Sequence, residues 1–298
     1  MSELQPAPGA SVGRRRSPVH QILTLFGDYW LRVDEPLPTG AILSALADLG
    51  VKGPAARAAL VRLTERGLLE PTKSGRRTSH ALTAQGDAII LDEARWLRGF
   101  GRDDPEWDGE WSAIFFSIPE TERPLRHAAR TRLRWLGYAP LYDGVWISPF
   151  DTADEARAAL AELGVFDASS LRGPLRIASG DAPTRAWDLG PVRDAYDELL
   201  ARLASDSAAD LEEEAAPDAA ARAFARRMSL MLTWQAFRQG DPGHPLALLP
   251  DGWPRPAARA AFVAAYDALG PAAEDRMRAH IADISPDLAR RVTSQRLG

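Results

Sequence analysis

The run GPAARAALVRLTERGLLEPTKSGRRTSHAL, residues 53–82, decides how this chain is read. Gly53 and Pro54 open a helix, with proline at a first-turn position where its missing N–H costs nothing. Leu60 and Leu63 give that helix an apolar stripe, and Gly67 stops it. Leu68, Leu69 and Glu70 then run into Thr72 and Lys73, Ser74-Gly75 is a turn signal, and Arg76 to Leu82 returns. A helix that leads directly into a basic two-stranded hairpin is the element to be explained.

Working outward, Val19, Ile22, Leu23, Leu25, Phe26 and Trp30 recur at helical spacing between Pro18 and Leu31. Pro36 and Pro38 break the chain, and Thr39 is placed to cap a second helix over Ile42, Leu43, Leu46 and Leu49, which Gly50 ends. After the hairpin, Thr83 can cap a further helix through Ile89, Ile90 and Trp96. Three short helices followed by a basic hairpin form the winged helix-turn-helix layout, predicted over residues 18–98.

The charge follows the same division. The whole chain of 298 residues carries −5, but between Arg14 and Leu82 eleven cations face six anions. That segment is therefore +5 and the rest −10. A basic head on an acidic body suits DNA binding, which needs cations on one face only. Hydrophobic content of 45% and charge of 26% are those of a globular chain with real cores. Cys is absent, which excludes disulfides, thiolate metal sites and cysteine nucleophiles and agrees with a cytoplasmic protein. Residues 1–17, with Pro6, Pro8, Gly9 and Gly13, read as a disordered tail without a signal-peptide core, and no run is long enough to span a bilayer.

Beyond the linker Gly99 to Asp104 the pattern changes. Trp111 to Ile118 reads as a strand, Leu125 to Leu136 as a helix, and Tyr138 to Leu141 and Val145 to Ser148 as strands flanking the hairpin signal Asp143-Gly144. Ala153 to Leu163 is helical and Leu171 to Ala178 a last strand. This is the split ferredoxin-like order, predicted over 105–180 as a dimerisation domain. Residues 190–298 form a helical domain, with helices at Val192 to Leu203, Ala219 to Arg238, Ala257 to Leu269 and Ala272 to Ile284. It contains an acidic, Ala-rich segment, 205–217, expected to be mobile. The fold class is thus a multidomain α+β protein.

The candidate DNA-binding residues are Lys52, Arg57 and Arg62 on or before the third helix, and Lys73, Arg76 and Arg77 around the hairpin turn. Guanidinium forks can reach guanine edges or phosphates, and a cationic hairpin tip can neutralise the phosphate backbone. Arg14, Arg15 and Arg16 have two open readings, an arm on the DNA or a solubilising tail. Arg126, Arg130 and Arg134, in a helix also holding Arg123 and Arg132, are a candidate site for an anionic ligand. The same helix reads equally as a basic face answering the acidic C-terminal region. Trp107, Trp111, Trp135 and Trp146 fit core or interface better than ligand platforms.

Enzymatic readings lack their constellations. His20, His80, His127, His244 and His280 are scattered, with no HExxH, and there is no GxSxG, P-loop or GxGxxG. Asp108 and Asp143 can be imagined as metal ligands, but turns and strand starts favour Asp without any metal. No cofactor or metal is expected.

The chain resembles the PaaX family of transcriptional repressors, from about Ile22 to Met277. The carriers are Leu25-Phe26-Gly27-Asp28-Tyr29, the run Ala56 to Leu63, Gly75-Arg76-Arg77 with Leu82-Thr83, and Trp107-Asp108-Gly109 with Trp111. Further on come Leu133 to Tyr138 with Leu141, Gly144 to Pro149, Trp234 with Phe237, Leu249-Pro250, Trp253-Pro254 and Ala257 to Arg259. The resemblance implies a homodimeric repressor of phenylacetate catabolism whose grip on an operator is released by a small acidic metabolite, an aryl-acyl-CoA such as phenylacetyl-CoA. It implies Arg57 and Arg62 as DNA contacts and Gly75, Arg76 and Arg77 as the wing tip. Relatives tend to carry a hydroxyl residue where this chain has Ala58, and often another at Val61, so their operator sequence does not transfer. The rival reading is a protein–protein interaction scaffold whose winged helix no longer binds DNA; it has no reason to keep Arg57, Arg62, Arg76 and Arg77 together.

Overall fold

Pro18 starts the first helix, α1 (Pro18–Tyr29), whose inward face carries Val19, Ile22, Leu25, Phe26 and Tyr29 at three- and four-residue spacing. The structure, a computed structural model, describes residues 17–31, 33–213 and 218–298, and for 207–213 the backbone alone. Arg14, Arg15 and Arg16, the rest of the tail through residue 16, and positions 214–217 of the acidic segment lie outside the described residues.

The prolines expected to break the chain also build structure. Leu37–Pro38 form a short strand, β1, paired with Ser79 and His80. Proline is tolerated there because β1 is an edge strand and its missing donor breaks no interior ladder. Thr39 is not the cap of α2 (Thr39–Asp48): Pro38 holds that position, and the Thr39 hydroxyl shares a 3.2 Å hydrogen bond with His80 Nδ1. His80 is packed, and burial draws its pKa below 6.5.

Helix α3 (Gly53–Glu65) turns Ala56, Ala59, Leu60 and Leu63 inward. It closes in a Schellman turn, where Gly67 at φ +67° donates to Thr64 O and Leu68 donates to Leu63 O, each at 2.9 Å. Strands β2 (Leu69–Ser74) and β3 (Arg77–Leu82) follow, so Gly75-Arg76 are the turn residues rather than Ser74-Gly75. Gly75 at φ +59° supplies the left-handed conformation. The sheet order is β1-β3-β2. Helix α4 (Ala84–Gly99) is capped by Thr83, whose Oγ1 accepts from Gly86 N at 3.1 Å.

Next come β4 (Trp111–Phe116), α5 (Arg123–Trp135), β5 (Ala139–Tyr142), β6 (Val145–Ser148), α6 (Ala153–Glu162) and β7 (Ala168–Gly173). All pairings are antiparallel, in the order β5-β6-β4-β7, as a split pair of βαβ-type units requires. One sheet face packs Ile114 and Trp146 against Ala129 and Leu133 of α5 and Ala156 and Leu160 of α6. The other packs Trp111, Ala113 and Ile147 under Trp107, Leu141, Leu175, Trp187 and Leu248. The final strand lies earlier than the predicted Leu171 to Ala178. Its length is set by the ladder from Phe116↔Ala168 to Trp111↔Gly173, and Pro174 then removes the next donor.

The remaining helices are α7 (Gly190–Glu213), α8 (Ala219–Gly240), α9 (Arg255–Ala268), α10 (Gly270–Ala282) and a short α11 (Pro286–Ala289). Helix α7 continues past Leu203, through backbone that the sequence assigned to the acidic segment; its Ala, Glu and Leu content favours helix. The described chain divides into two compact units. One comprises residues 103–195 and 238–253; the other comprises 17–102, 196–237 and 254–298. The second therefore contains the N-terminal head together with most of the C-terminal helices. Within it Trp234 stacks on Phe262 (centroids 4.8 Å apart) and Tyr196 on Phe237 (4.0 Å).

Candidate nucleic-acid interface

The inward set of α3 leaves Lys52, at its cap position, and Arg57 and Arg62 exposed. Arg57 lies back along the first turn: a Cβ built on Gly53 would be 3.2 Å from Arg57 Nη1. The Schellman turn carries the chain straight into the hairpin, where Lys73, Arg76 and Arg77 are also exposed. Lys73 pairs across the ladder with Thr78, and Ser74 with Arg77, so Arg76 stands in the turn itself. All six residues thus lie on one helix and the hairpin that follows it.

Sequence reasoning missed how this head is anchored. Asp48 ends α2, directly before the turn into α3, where a carboxylate meets the negative end of the helix dipole. It is held by Arg276 of α10, with Nε donating at 2.7 Å and Nη2 at 2.9 Å, and by His280 Nε2 at 2.8 Å. Ser44 Oγ meets His280 Nδ1 at 2.8 Å. Burial, the largest influence on Asp48, pushes its pKa up, but the hydrogen bonds from Arg276 and His280 outweigh it and hold the carboxyl below 3.8. Burial draws His280 below 6.5 against the pull of Asp48. The neutral ring then donates from Nε2 to Asp48 and accepts at Nδ1 from Ser44. Arg77 Nη1 also donates to the Ile284 carbonyl at 3.3 Å, so one wing cation is tied to the same C-terminal segment.

A second anchor lies deeper. Arg227 of α8 is fully buried, with Nε donating to Tyr266 O at 3.2 Å, Nη2 donating to Gln295 O, and its guanidinium over the Tyr266 ring at 3.8 Å. Nη1 stands 3.8 Å from Asp28 of α1, and Gln295 N donates to Asp28 O at 3.0 Å. Burial pushes the Asp28 carboxyl up to about 6, even against the nearby Arg227 charge.

The arginines of α5 have separate partners. Arg126 donates to Ile118 O at 2.9 Å, Arg130 is 3.5 Å from Asp143, and Arg134 lies 5.6 Å over the Trp146 ring. Asp108 pairs with Arg172, which also meets Glu110 at 3.2 Å. Among the described residues no group of three metal-ligating side chains forms a candidate metal site, and no helix is long and apolar enough to cross a membrane. A cleft of about 450 Å³ opens beside Asp151, Thr152, Asp154, Glu155, Ser170 and Arg172, a lining poorly matched to an anion.

Comparison with known proteins covers the same three regions. Residues 18–86 match a family model described as PaaX-like protein, 104–173 the PaaX protein central Cas2-like domain, and 187–279 the PaaX-like protein C-terminal domain. The transcriptional repressor PaaX of Escherichia coli (strain K12) is 25% identical over 264 residues, 85% of this chain and 80% of that protein. In fold the chain resembles the uncharacterized protein Rv0674 from Mycobacterium tuberculosis, with a TM-score of 0.54 and 22% identity, covering 88% of this chain and 96% of that one.

Proposed function

The chain belongs to the PaaX family of transcriptional repressors, and from that premise we propose that it is a homodimeric DNA-binding repressor. Its α1–β3 region is read as a winged helix-turn-helix, with α3 the recognition helix in the major groove and β2–β3 the wing. A small acidic metabolite, an aryl-acyl-CoA such as phenylacetyl-CoA, releases it from the operator. It acts in the cytoplasm as a regulator rather than an enzyme.

The observation that carries this reading is the exposed set Lys52, Arg57, Arg62, Lys73, Arg76 and Arg77, at the cap and along one helix and around the turn of the hairpin joined to it. If all six neutralise phosphates, each head contributes a slope of about −5 to log K against log salt. Two heads in a dimer read paired half-sites, which one head cannot. Release requires the effector to prefer a form that binds DNA poorly. A coupling of about 3 kcal/mol weakens the operator complex by about a hundredfold.

The test is fluorescence anisotropy of the full chain on DNA from immediately upstream of its own gene, with scrambled DNA as control. The titration is repeated at several salt concentrations and with phenylacetyl-CoA. Specific, salt-dependent binding that collapses with the thioester is the expected result. Specific binding indifferent to the thioester removes that effector, and binding no tighter than to scrambled DNA at any salt hands the lead to the scaffold reading.

A further inference from the structure

Val61 is 55% exposed in the middle of α3, although its neighbours Leu60 and Leu63 are buried. Ala58, one turn earlier, and Ala55 and Pro54 before it are exposed on the same side. From Pro54 to Val61 the outer surface of α3 is therefore a ridge without side-chain donors or acceptors, flanked by the exposed cations Arg57 and Arg62 and ending at the exposed Glu65 in the last turn. Folding does not explain the choice of residue. Exposed valine is a poorer helix former than alanine, because its branched Cβ restricts χ1. It also gains nothing from burial here.

A surface of this kind, in a cationic frame, is matched to one feature of base-pair edges. The major groove presents donors and acceptors on every base pair, which an Ala–Val ridge leaves without partners, and the C5-methyl group of thymine. Alanine at 58 lets the helix backbone come close to the bases, and the two Val61 methyls extend that contact. Residues three apart on a helix are separated by about 4.5 Å along its axis. Successive bases rise by about 3.4 Å, so the two contacts fall on adjacent base pairs.

On the reading of α3 as the recognition helix, we propose that Ala58 and Val61 recognise thymine methyl groups, making adjacent T·A pairs a specificity determinant of each half-site, beside a guanine contacted by Arg57. The chemistry differs from hydroxyl-mediated recognition at these two positions. It selects a methyl group, not a hydrogen-bonding pattern.

The experiment is selection of bound duplexes from a random-sequence library by the full-length protein, run in parallel on libraries synthesised with thymine or with uracil. The best selected site is then titrated by anisotropy with single thymine-to-uracil replacements. The thymine library is expected to yield adjacent T·A pairs next to a guanine, and the uracil library to lose that preference while keeping the guanine. Replacement at either position costs about fourfold in affinity, which is the burial of one methyl at about 0.8 kcal/mol. In Val61→Ala, whose altered side chain is exposed and whose fold is checked by circular dichroism, the uracil penalty at the Val61 position falls below about twofold. Equal enrichment in both libraries, or an undiminished uracil penalty in Val61→Ala, overturns the proposal while leaving DNA binding intact. No sequence enrichment in either library removes the DNA-binding reading itself, and methyl recognition with it.

Discussion

Replacing Asp48 by Ala removes the acceptor of three hydrogen bonds from α10, two from Arg276 and one from His280. The Asp48 side chain is 15% exposed, His280 5% and Arg276 34%. Buried hydrogen bonds to a charged group contribute about 1.5–3 kcal/mol, but solvent screening brings the Arg276 pair toward about 1 kcal/mol or less. His280 loses its acceptor in a nearly dry site, costing about 1–2 kcal/mol. Removing a carboxylate from a helix C-terminus returns about 0.3–1 kcal/mol. The net expected loss is about 2 kcal/mol. For a cooperative unit of 150–250 residues that lowers the melting temperature by about 4–8 °C. Calorimetry of the full chain, with Asp48→Ala, His280→Ala and the double variant, reads the coupling directly. Acidification gives a second readout. Asp48 titrates below its unfolded value of 3.8, so its contribution is present above that pH and is lost as pH falls through the folded value. His280 is also depressed, so below pH 6.5 the unfolded chain takes its proton first and stability falls. The two act in different windows. Below pH 6.5 His280 costs stability in both proteins, and more in Asp48→Ala, whose ring lacks the carboxylate that raises its pKa. The wild type therefore keeps or widens its advantage from pH 8 to 4 and loses it only as pH falls below 3.8. An unchanged melting temperature in Asp48→Ala, or additive effects in the double variant, would refute the clamp.

Asp28 has the opposite sign. Its carboxyl is raised to about 6 from 3.8, so its stabilising effect is complete below pH 3.8 and is lost as pH rises through 6. Between pH 7.5 and 4 the wild type should gain about 2 kcal/mol relative to Asp28→Asn, and parallel urea-denaturation profiles of the two would exclude it. Gly86→Ala would place a Cβ 2.3 Å from the Leu68 carbonyl oxygen, which cannot yield without moving the base of the wing. A loss of about 2–3 kcal/mol is expected in chemical denaturation, and wild-type stability in the variant would overturn the steric argument. Replacing Arg76 and Arg77 by Ala should weaken binding to every DNA sequence and reduce the salt slope by up to about 2. An unchanged slope takes the wing off the DNA.

What the sequence discloses here depends on how far apart the interacting groups lie. Helix α3 and the hairpin are readable because each boundary is local: Pro54 at the start, Gly67 in a Schellman turn, Gly75 with positive φ between paired strands. Asp143-Gly144 likewise exposes the β5–β6 hairpin, since the turn fixes the register of its own flanks. Readings fail where the deciding partner is remote. Pro36 and Pro38 look like pure breakers until β3 supplies the ladder for Leu37–Pro38, and Thr39 looks like a cap until His80 takes its hydroxyl. Leu171, Leu175 and Ile177 imitate a strand, yet the ladder with β4 sets the limits of β7. The cations of α5 leave an anion site and a basic face equally open in the sequence, and the partners each one has, Ile118, Asp143 and Trp146, are not signalled by their spacing. The Asp48 clamp is the extreme case, because its partners lie 228 and 232 positions away and no periodicity connects them. One local sign was nevertheless present. An acidic residue at the last position of α2, where a cation is favoured, is an electrostatic conflict that requires a distant cation to resolve it. Arg276 does so, and in doing so joins the C-terminal helices to the turn from which α3 departs.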